Sequence, residues 1–453
     1  MDQTNVTRQL ALWVAETTVS DLPDSAIQRT RIILLDAIAS ALAGRSADET
    51  PILVDTAVGA LGGGDATLLS GGTGSLACAA VVNGYLITAV TVCDIHLPTV
   101  CHVTPEVVPP ALAIAEERDL PGADLLLAIA LGLEVTTRIG LGTDYPAFQA
   151  RGWHSPGITG PFGASAAVGK LMGLDADAHT HAFGICASQA AGTWAQLGTP
   201  TIKFQQARGA MSGLLSALLA ERKFTATPDG LGAARGGLFT TYADGGSPDR
   251  MLDGIGARWE LENISLRSWP AAAFLQGLVT AVLGLVDEHD VRPESVARLR
   301  VRISPAAYAL HGERVPKDRF EARLTANYVA AVTLHDRACW MDQFSAERFA
   351  DPDLTAWRRD RVEVISDDSL LDAGAALDVE LTDGRTVSQL ARVPKGDPED
   401  AHTFEDAANK LRLASAGLNA ASPIEELIRT IESLETVGSI RPALRGLRGP
   451  LSA

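Results

Sequence analysis

Cysteine is scarce in this chain, with five in 453 residues at positions 78, 93, 101, 186 and 339. They make no even-numbered, regularly spaced framework, so a disulfide scaffold is excluded and reduced thiols are expected. The start, Met1-Asp2-Gln3-Thr4, lacks the basic residues and apolar core of a signal peptide, which sets the expectation of a cytoplasmic protein. No apolar run reads as a membrane span. The most apolar windows, Leu125 to Leu133 and Leu76 to Val92, are short or broken by Asn83-Gly84, and read as buried helices of a large core. Lys and Arg number 38 against 55 Asp and Glu, and the resulting net charge of −17 argues against nucleic acid or an anionic membrane as the main partner. An acidic substrate would need a locally basic pocket. The glycine-rich pieces Gly62-Gly63-Gly64 and Gly71-Gly72-Thr73-Gly74 lack both the Lys-Ser/Thr of a phosphate loop and the spacing of a dinucleotide fingerprint, so they read as turns.

What is present is a globular composition, 46% hydrophobic, in a chain long enough to bury large cores. Residues 1–265 read as a helical domain. Ile27, Arg31, Leu34, Ile38, Ala41 and Leu42 follow helical spacing after Asp24-Ser25, with Gly44 as a left-handed stop. Further helices are predicted at 105–118, 123–140, 160–172, 180–195 and 206–222, many rich in Ala and Gly, which lets helices approach closely. From 266 to 400 the pattern becomes a smaller α/β domain. Leu299, Val301 and Ile303 alternate with arginines, Leu377, Val379 and Leu381 alternate before Asp383-Gly384, and a hairpin with a primed turn is expected there, with helices at 270–288 and 321–335. Residues 401–453 read as helical again, returning to the first domain, with Ser422-Pro423-Ile424-Glu425 as a capping box. The fold class is thus mainly α, a large all-helical domain carrying an inserted α/β lid.

Chemistry concentrates between Asn83 and His102, where one carboxylate (Asp94), two imidazoles (His96, His102) and two thiols (Cys93, Cys101) follow an apolar stretch. Such groups at the edge of a cavity can have their pKa values tuned for proton transfer. The same residues also fit a helix cap, a satisfied polar histidine and small buried thiols. Cys93, His96, Cys101 and His102 are zinc-type ligands, but their C-x2-H-x4-C-H spacing is not that of a familiar finger, and no metal is expected. His179 and His181, two apart on a helix, point in different directions and stay outside the site.

The chain resembles the MmgE/PrpD family of 2-methylcitrate dehydratases, cis-aconitate decarboxylases and iminodisuccinate epimerases. The resemblance rests on the order and spacing of several strings. These are Leu35-Asp36-Ala37-Ile38-Ala39-Ser40-Ala41-Leu42-Ala43-Gly44, Asn83-Gly84, the Asp94-to-His102 segment, Gly152-Trp153-His154-Ser155-Pro156-Gly157, Gly198-Thr199-Pro200-Thr201-Ile202-Lys203 and Ser304-Pro305-Ala306-Ala307-Tyr308. It implies a lyase or isomerase acting on a small di- or tricarboxylate, no required cofactor, and a homodimer.

The same resemblance implies catalytic roles for His102, His154, Lys203, Tyr308 and Asp94. Substrate contacts are expected from Arg267, Arg208, His96 and Thr91. Thr91 and Cys93 stand where the family has aspartates, Arg267 stands where it has a lysine, and the lid histidine that usually follows is absent. Breaking a C–H or C–COO⁻ bond beside a carboxylate leaves negative charge that fixed cations can stabilise, a role open to Lys203 and Arg267 with Arg208 as helper. A dehydratase-like reaction leads on this reading. Decarboxylation, epimerisation and a non-catalytic carboxylate-binding role are the alternatives.

Overall fold

The structure, a computed structural model, describes residues 5–418 and 420–448. It is 61% helical and 8% strand, so the chain is mainly α. It divides into two compact units. The first comprises the residues up to Ala89, Cys93–Ile264 and the residues from Thr403 on, and the second Ser265–His402 together with Val90–Val92.

The first unit is built from long helices, chiefly Asp24–Gly44, Leu76–Ala89, Thr104–Arg118, Gly122–Gly142, Ser155–Leu171, Ala176–Gln189 and Thr201–Glu221. Ser155–Leu171 lies at its centre, against Gly122–Gly142, Thr104–Arg118 and Thr201–Glu221. Small residues make this possible. A Cβ at Gly163 would overlap the Thr136 side chain and the Gly132 carbonyl, so these two helices meet almost backbone to backbone. Gly122–Gly142 is long and apolar enough to cross a membrane by length and composition alone, yet 94% of that stretch is buried within the protein.

Two sequence expectations are corrected here. Gly44 is not a left-handed stop: it is the last helical residue, and Arg45 after it is right-handed. Glycine is required because a Cβ there would collide with the Leu86 carbonyl of the neighbouring helix. The capping box at Ser422 does not form either. The helix Ala421–Glu432 starts before Ser422, its first backbone bond running from the Ile424 N–H to the Ala420 carbonyl at 2.9 Å. Pro423 remains tolerated because it falls among the first four residues, whose N–H groups lack partners within the helix.

The second unit holds a four-stranded sheet in the order Val362–Ser366, Val296–Ile303, Ala375–Leu381, Thr386–Ala391. The first pair is parallel, with Val301 opposite Val364, and the others are antiparallel, with Leu299 opposite Val379 and Val379 opposite Val387. Helices Gln276–His289 and Ala326–Asp336 share its core, in which Leu278, Val282, Val329, Leu299, Val301 and Leu377 are buried. The hairpin turn is not of the primed type. Gly384 alone among Thr382, Asp383 and Gly384 has positive φ (86°), and Leu381 bonds to both Gly384 and Arg385, which is a three-residue turn ending in a left-handed glycine.

Candidate active site

The segment after Cys93 folds back on itself: His96 and Cys101 exchange backbone hydrogen bonds of 2.8 and 3.2 Å, and Val100 between them takes left-handed backbone with φ 44°. Thr91, in the second unit, does the same at φ 62°, with its hydroxyl buried and without a partner among the described residues. Branched side chains avoid this region at a cost of about 1–3 kcal/mol each, and such strain gathers at functional sites.

Asp94 is fully buried at the start of the Thr104–Arg118 helix. Its carboxylate accepts the N–H groups of Val103 (2.7 Å) and Thr104 (3.2 Å) and the Thr104 hydroxyl. Burial pushes this carboxyl up to about 6, with the Cys93 thiol adding to the rise, while His102, the Thr104 hydroxyl and the Val103 N–H pull the other way.

His102 Nδ1 lies 2.6 Å from the Asp94 carbonyl oxygen. A carbonyl can only accept, so Nδ1 carries a proton, and in the neutral ring Nε2 is left with its lone pair. The Cys93 Sγ is 3.9 Å from the same nitrogen.

His154 is held in the same tautomer by different means. It immediately precedes the Ser155–Leu171 helix, anchored by its N–H to the Gly192 carbonyl at 3.1 Å. Gln205 Nε2 donates to the Thr193 carbonyl (3.1 Å), which orients the amide so that Oε1 faces His154 Nδ1 at 2.7 Å and accepts from it. Burial pulls His154 down to about 3; the charges of His102 and Lys203 add to this, and the bond to Gln205 opposes it. Lys203 is buried in the first turn of Thr201–Glu221. The charges of His102 and Lys203 therefore both reach His154, although all three lie far apart in the sequence.

The other expected site residues are placed differently. His96 is fully buried, with Nδ1 2.8 Å from the Thr99 hydroxyl and Nε2 3.1 Å from Glu260, so its ring has no nitrogen left for a substrate. Glu260 and Leu261 in turn donate their N–H groups to Glu134 (2.9 Å each), which pairs with Arg138 at 2.5 Å, so His96 belongs to a chain that ties the site segment to the Gly122–Gly142 helix. The zinc-type set is accordingly not gathered on one point: among the described residues no three His, Cys, Asp or Glu side chains are placed to hold a metal ion. Cys101 instead faces the Thr159 hydroxyl at 3.5 Å.

Arg208 is also taken up structurally. Its guanidinium donates to the carbonyls of Gln189 (2.8 Å), Ala191 (2.7 Å) and Gly157 (3.2 Å), which fixes the loop that carries Gly192 and Thr193 behind His154. Both terminal nitrogens of the guanidinium are thus engaged by protein acceptors.

Arg267 and Tyr308 belong to the second unit. Arg267 is buried. It follows Leu266, whose N–H bonds the Gly396 carbonyl at 2.8 Å. Tyr308 lies on the Pro305–His311 helix, capped by Ser304, and its hydroxyl donates to Glu313 at 2.8 Å, a bond that raises the phenol's pKa.

Three residues that shape the site escape a reading of the sequence: Gln205, Glu260 and Glu106. Gln205 is polar within an Ala- and Gly-rich helix, a weak signal. Glu260 reads as an ordinary surface acid, and Glu106 as a first-turn acid favoured by the helix dipole.

Comparison with known proteins agrees with this architecture. Residues 8–251 match the MmgE/PrpD N-terminal domain and residues 269–436 the MmgE/PrpD C-terminal domain. Among curated proteins the chain is similar to the cis-aconitate decarboxylase-like protein oryM of Aspergillus oryzae, 27% identical over 99% of this chain and 98% of that one. It is 24% identical to a cis-aconitate decarboxylase of Aspergillus terreus over 100% of this chain and 97% of the other. With that of Mus musculus it shares 25% over 82% and 78%. Two domain matches in series, spanning nearly the whole chain, establish that it belongs to the MmgE/PrpD family and is a lyase in the coarse sense of that family.

Proposed function

We propose that this chain is a carboxy-lyase acting on a small unsaturated tricarboxylate of the cis-aconitate kind. The observation that carries the reading is the pair of pinned imidazoles. His102 and His154 each give up Nδ1–H to a protein acceptor, which makes Nε2 the unprotonated nitrogen of each neutral ring, beside the buried Lys203. The similarity to decarboxylases along the full chain supports this choice over the dehydration that leads on sequence alone.

In the proposed step the C–C bond to one carboxylate breaks and CO₂ leaves. The released electron pair forms a new double bond, and the pair of the old double bond takes a proton. His102 delivers that proton from Nε2. The Asp94 carboxylate and the arriving substrate charges both favour the imidazolium, and Nδ1–H stays bound to the Asp94 carbonyl throughout. Lys203 binds a substrate carboxylate and offsets charge that builds on the carbon skeleton. His154, neutral at physiological pH, can accept a hydrogen bond or a proton at Nε2 but cannot donate one there. That acceptor also suits removal of a proton next to a carboxylate, which is the first step of a dehydration and the second reading.

A melting-temperature screen of cis-aconitate, citrate, 2-methylcitrate and iminodisuccinate, followed by product analysis on each binder, tests the proposal. A ligand at a hundred times its Kd adds about 2.7 kcal/mol to stability. Stabilisation by cis-aconitate with release of CO₂ is expected. Water release from 2-methylcitrate would move the assignment to dehydration, and binding with no turnover of any acid would move it to a non-catalytic role.

A further inference from the structure

The site contains a second carboxyl group that the proposed chemistry does not use. Glu106, in the first turn of Thr104–Arg118, has no exposed surface, and neither carboxyl oxygen has a hydrogen-bond partner in a neighbouring residue among those described. The one donor that approaches is its own backbone N–H. Its side chain runs between two helices at glycine positions: a Cβ at Gly160 would overlap the Glu106 Cγ, and one at Gly209 would make a tight contact with it at 3.2 Å. From the Cys93–His102 segment it is faced by Asp94, Cys93 and Cys101. At the two points where the flanking helices touch it, what faces it is Gly160 and Gly209, which bring no side chain to offset an ionised carboxylate.

We propose that Glu106 is a positioning residue of the reaction, a buried carboxylic acid that stays protonated so that the Asp94–Glu106 pair carries a single negative charge, located on Asp94 behind His102. The division of labour follows from the hydrogen bonds. Asp94 accepts from three donors and Glu106 from no neighbouring residue, so when two carboxyls share one enclosed space the proton belongs on Glu106. Burial, with Asp94 and Cys93 adding to it, raises Glu106 well above the ordinary glutamate range. The arrangement has two consequences. His102 is faced by one full charge that favours its imidazolium, and a polyanionic substrate meets one buried carboxylate in place of two. Both rest on the reading of His102 as the proton carrier, but the state of the pair can be measured without turnover.

The test uses the full-length protein with ¹³C-labelled glutamate for infrared spectroscopy and ¹⁵N-labelled histidine for NMR titration. The wild type should show the carbonyl band of a protonated glutamate at neutral pH, and Glu106→Gln should remove it. The His102 pKa should stay within about 0.3 unit of wild type in Glu106→Gln and fall by about one unit or more in Asp94→Asn. A wild type without the band overturns the proposal, whether or not the variants fold. So does a fall in the His102 pKa in Glu106→Gln as large as that in Asp94→Asn, because the charge would then have been on Glu106. Loss of decarboxylase activity with the band and both titrations as expected would instead count against the lyase reading alone.

Discussion

Gln205→Leu removes the one group that dictates the His154 tautomer while keeping a side chain of similar size. In the native protein Nδ1 must hold the proton, because the Gln205 amide is locked by its bond to the Thr193 carbonyl and offers only an acceptor. Leucine leaves a buried N–H without an acceptor, which costs about 1–3 kcal/mol, and the ring can escape part of that cost by moving its proton to Nε2. An Nε2–H ring no longer accepts from a substrate. If the full 1–3 kcal/mol is withdrawn from the transition state, kcat falls roughly 5- to 150-fold, which reaches only the lower end of the loss of about 10² to 10⁴ expected when a proton-transfer group is deleted. Gln205→Glu provides the contrast. A carboxylate there keeps the Nδ1–H tautomer, although it loses the bond to Thr193, and it raises the His154 pKa from about 3 by roughly 1–3 units. The assay is kcat against pH on cis-aconitate together with ¹⁵N shifts of His154, which distinguish the two tautomers. A Gln205→Leu enzyme with native kcat and Nδ1 still protonated would refute the reasoning.

Other outcomes follow from the same geometry. Burial holds both His154 and His179 down to about 3, against about 6.5 in the unfolded chain. The stability this neutral state contributes is therefore complete above pH 6.5 and is lost as pH falls through 3, with a slope of up to about 1.4 kcal/mol per pH unit for each ring. His179→Leu, at a site where neither ring nitrogen has a hydrogen-bond partner among the described residues, should cut proton uptake on acid unfolding by about one without loss of stability at pH 7, as read by urea melts across the pH range. Gly44→Ala drives a methyl group into the Leu86 carbonyl and should destabilise by about 1–3 kcal/mol or more, measured by the urea midpoint. Lys203→Ala should raise KM and lower kcat together, since the same cation meets substrate and developing charge, whereas a rise in KM alone would confine it to binding.

Much of the fold could be read from local patterns. Asp175 accepts from the Ala178 N–H at the start of Ala176–Gln189, the helix on which His179 and His181 were expected, and the alternation around Leu299 and Leu377 does form paired strands. Errors arose where the deciding partner lies elsewhere in the chain. A glycine that ends a helix and one that admits a neighbouring backbone look alike, and only Leu86 tells that Gly44 is the second kind. Arg208 and His96 have the right chemistry for a substrate, but three carbonyls in one case and Thr99 with Glu260 in the other already occupy them. Gln205 could not be linked to His154 because 51 positions separate them and nothing local marks the pair.

The most direct test of the central claim is a single incubation of the purified protein with cis-aconitate, ¹³C-labelled in each carboxylate in turn, in heavy water and followed by NMR. The account predicts loss of one specific label as CO₂ and one deuterium placed on the carbon of the old double bond that lies outside the new one. It also predicts that His102→Ala abolishes both while the protein still binds the acid. Native rates in His102→Ala, or release of label without solvent deuterium entering the product, would contradict it.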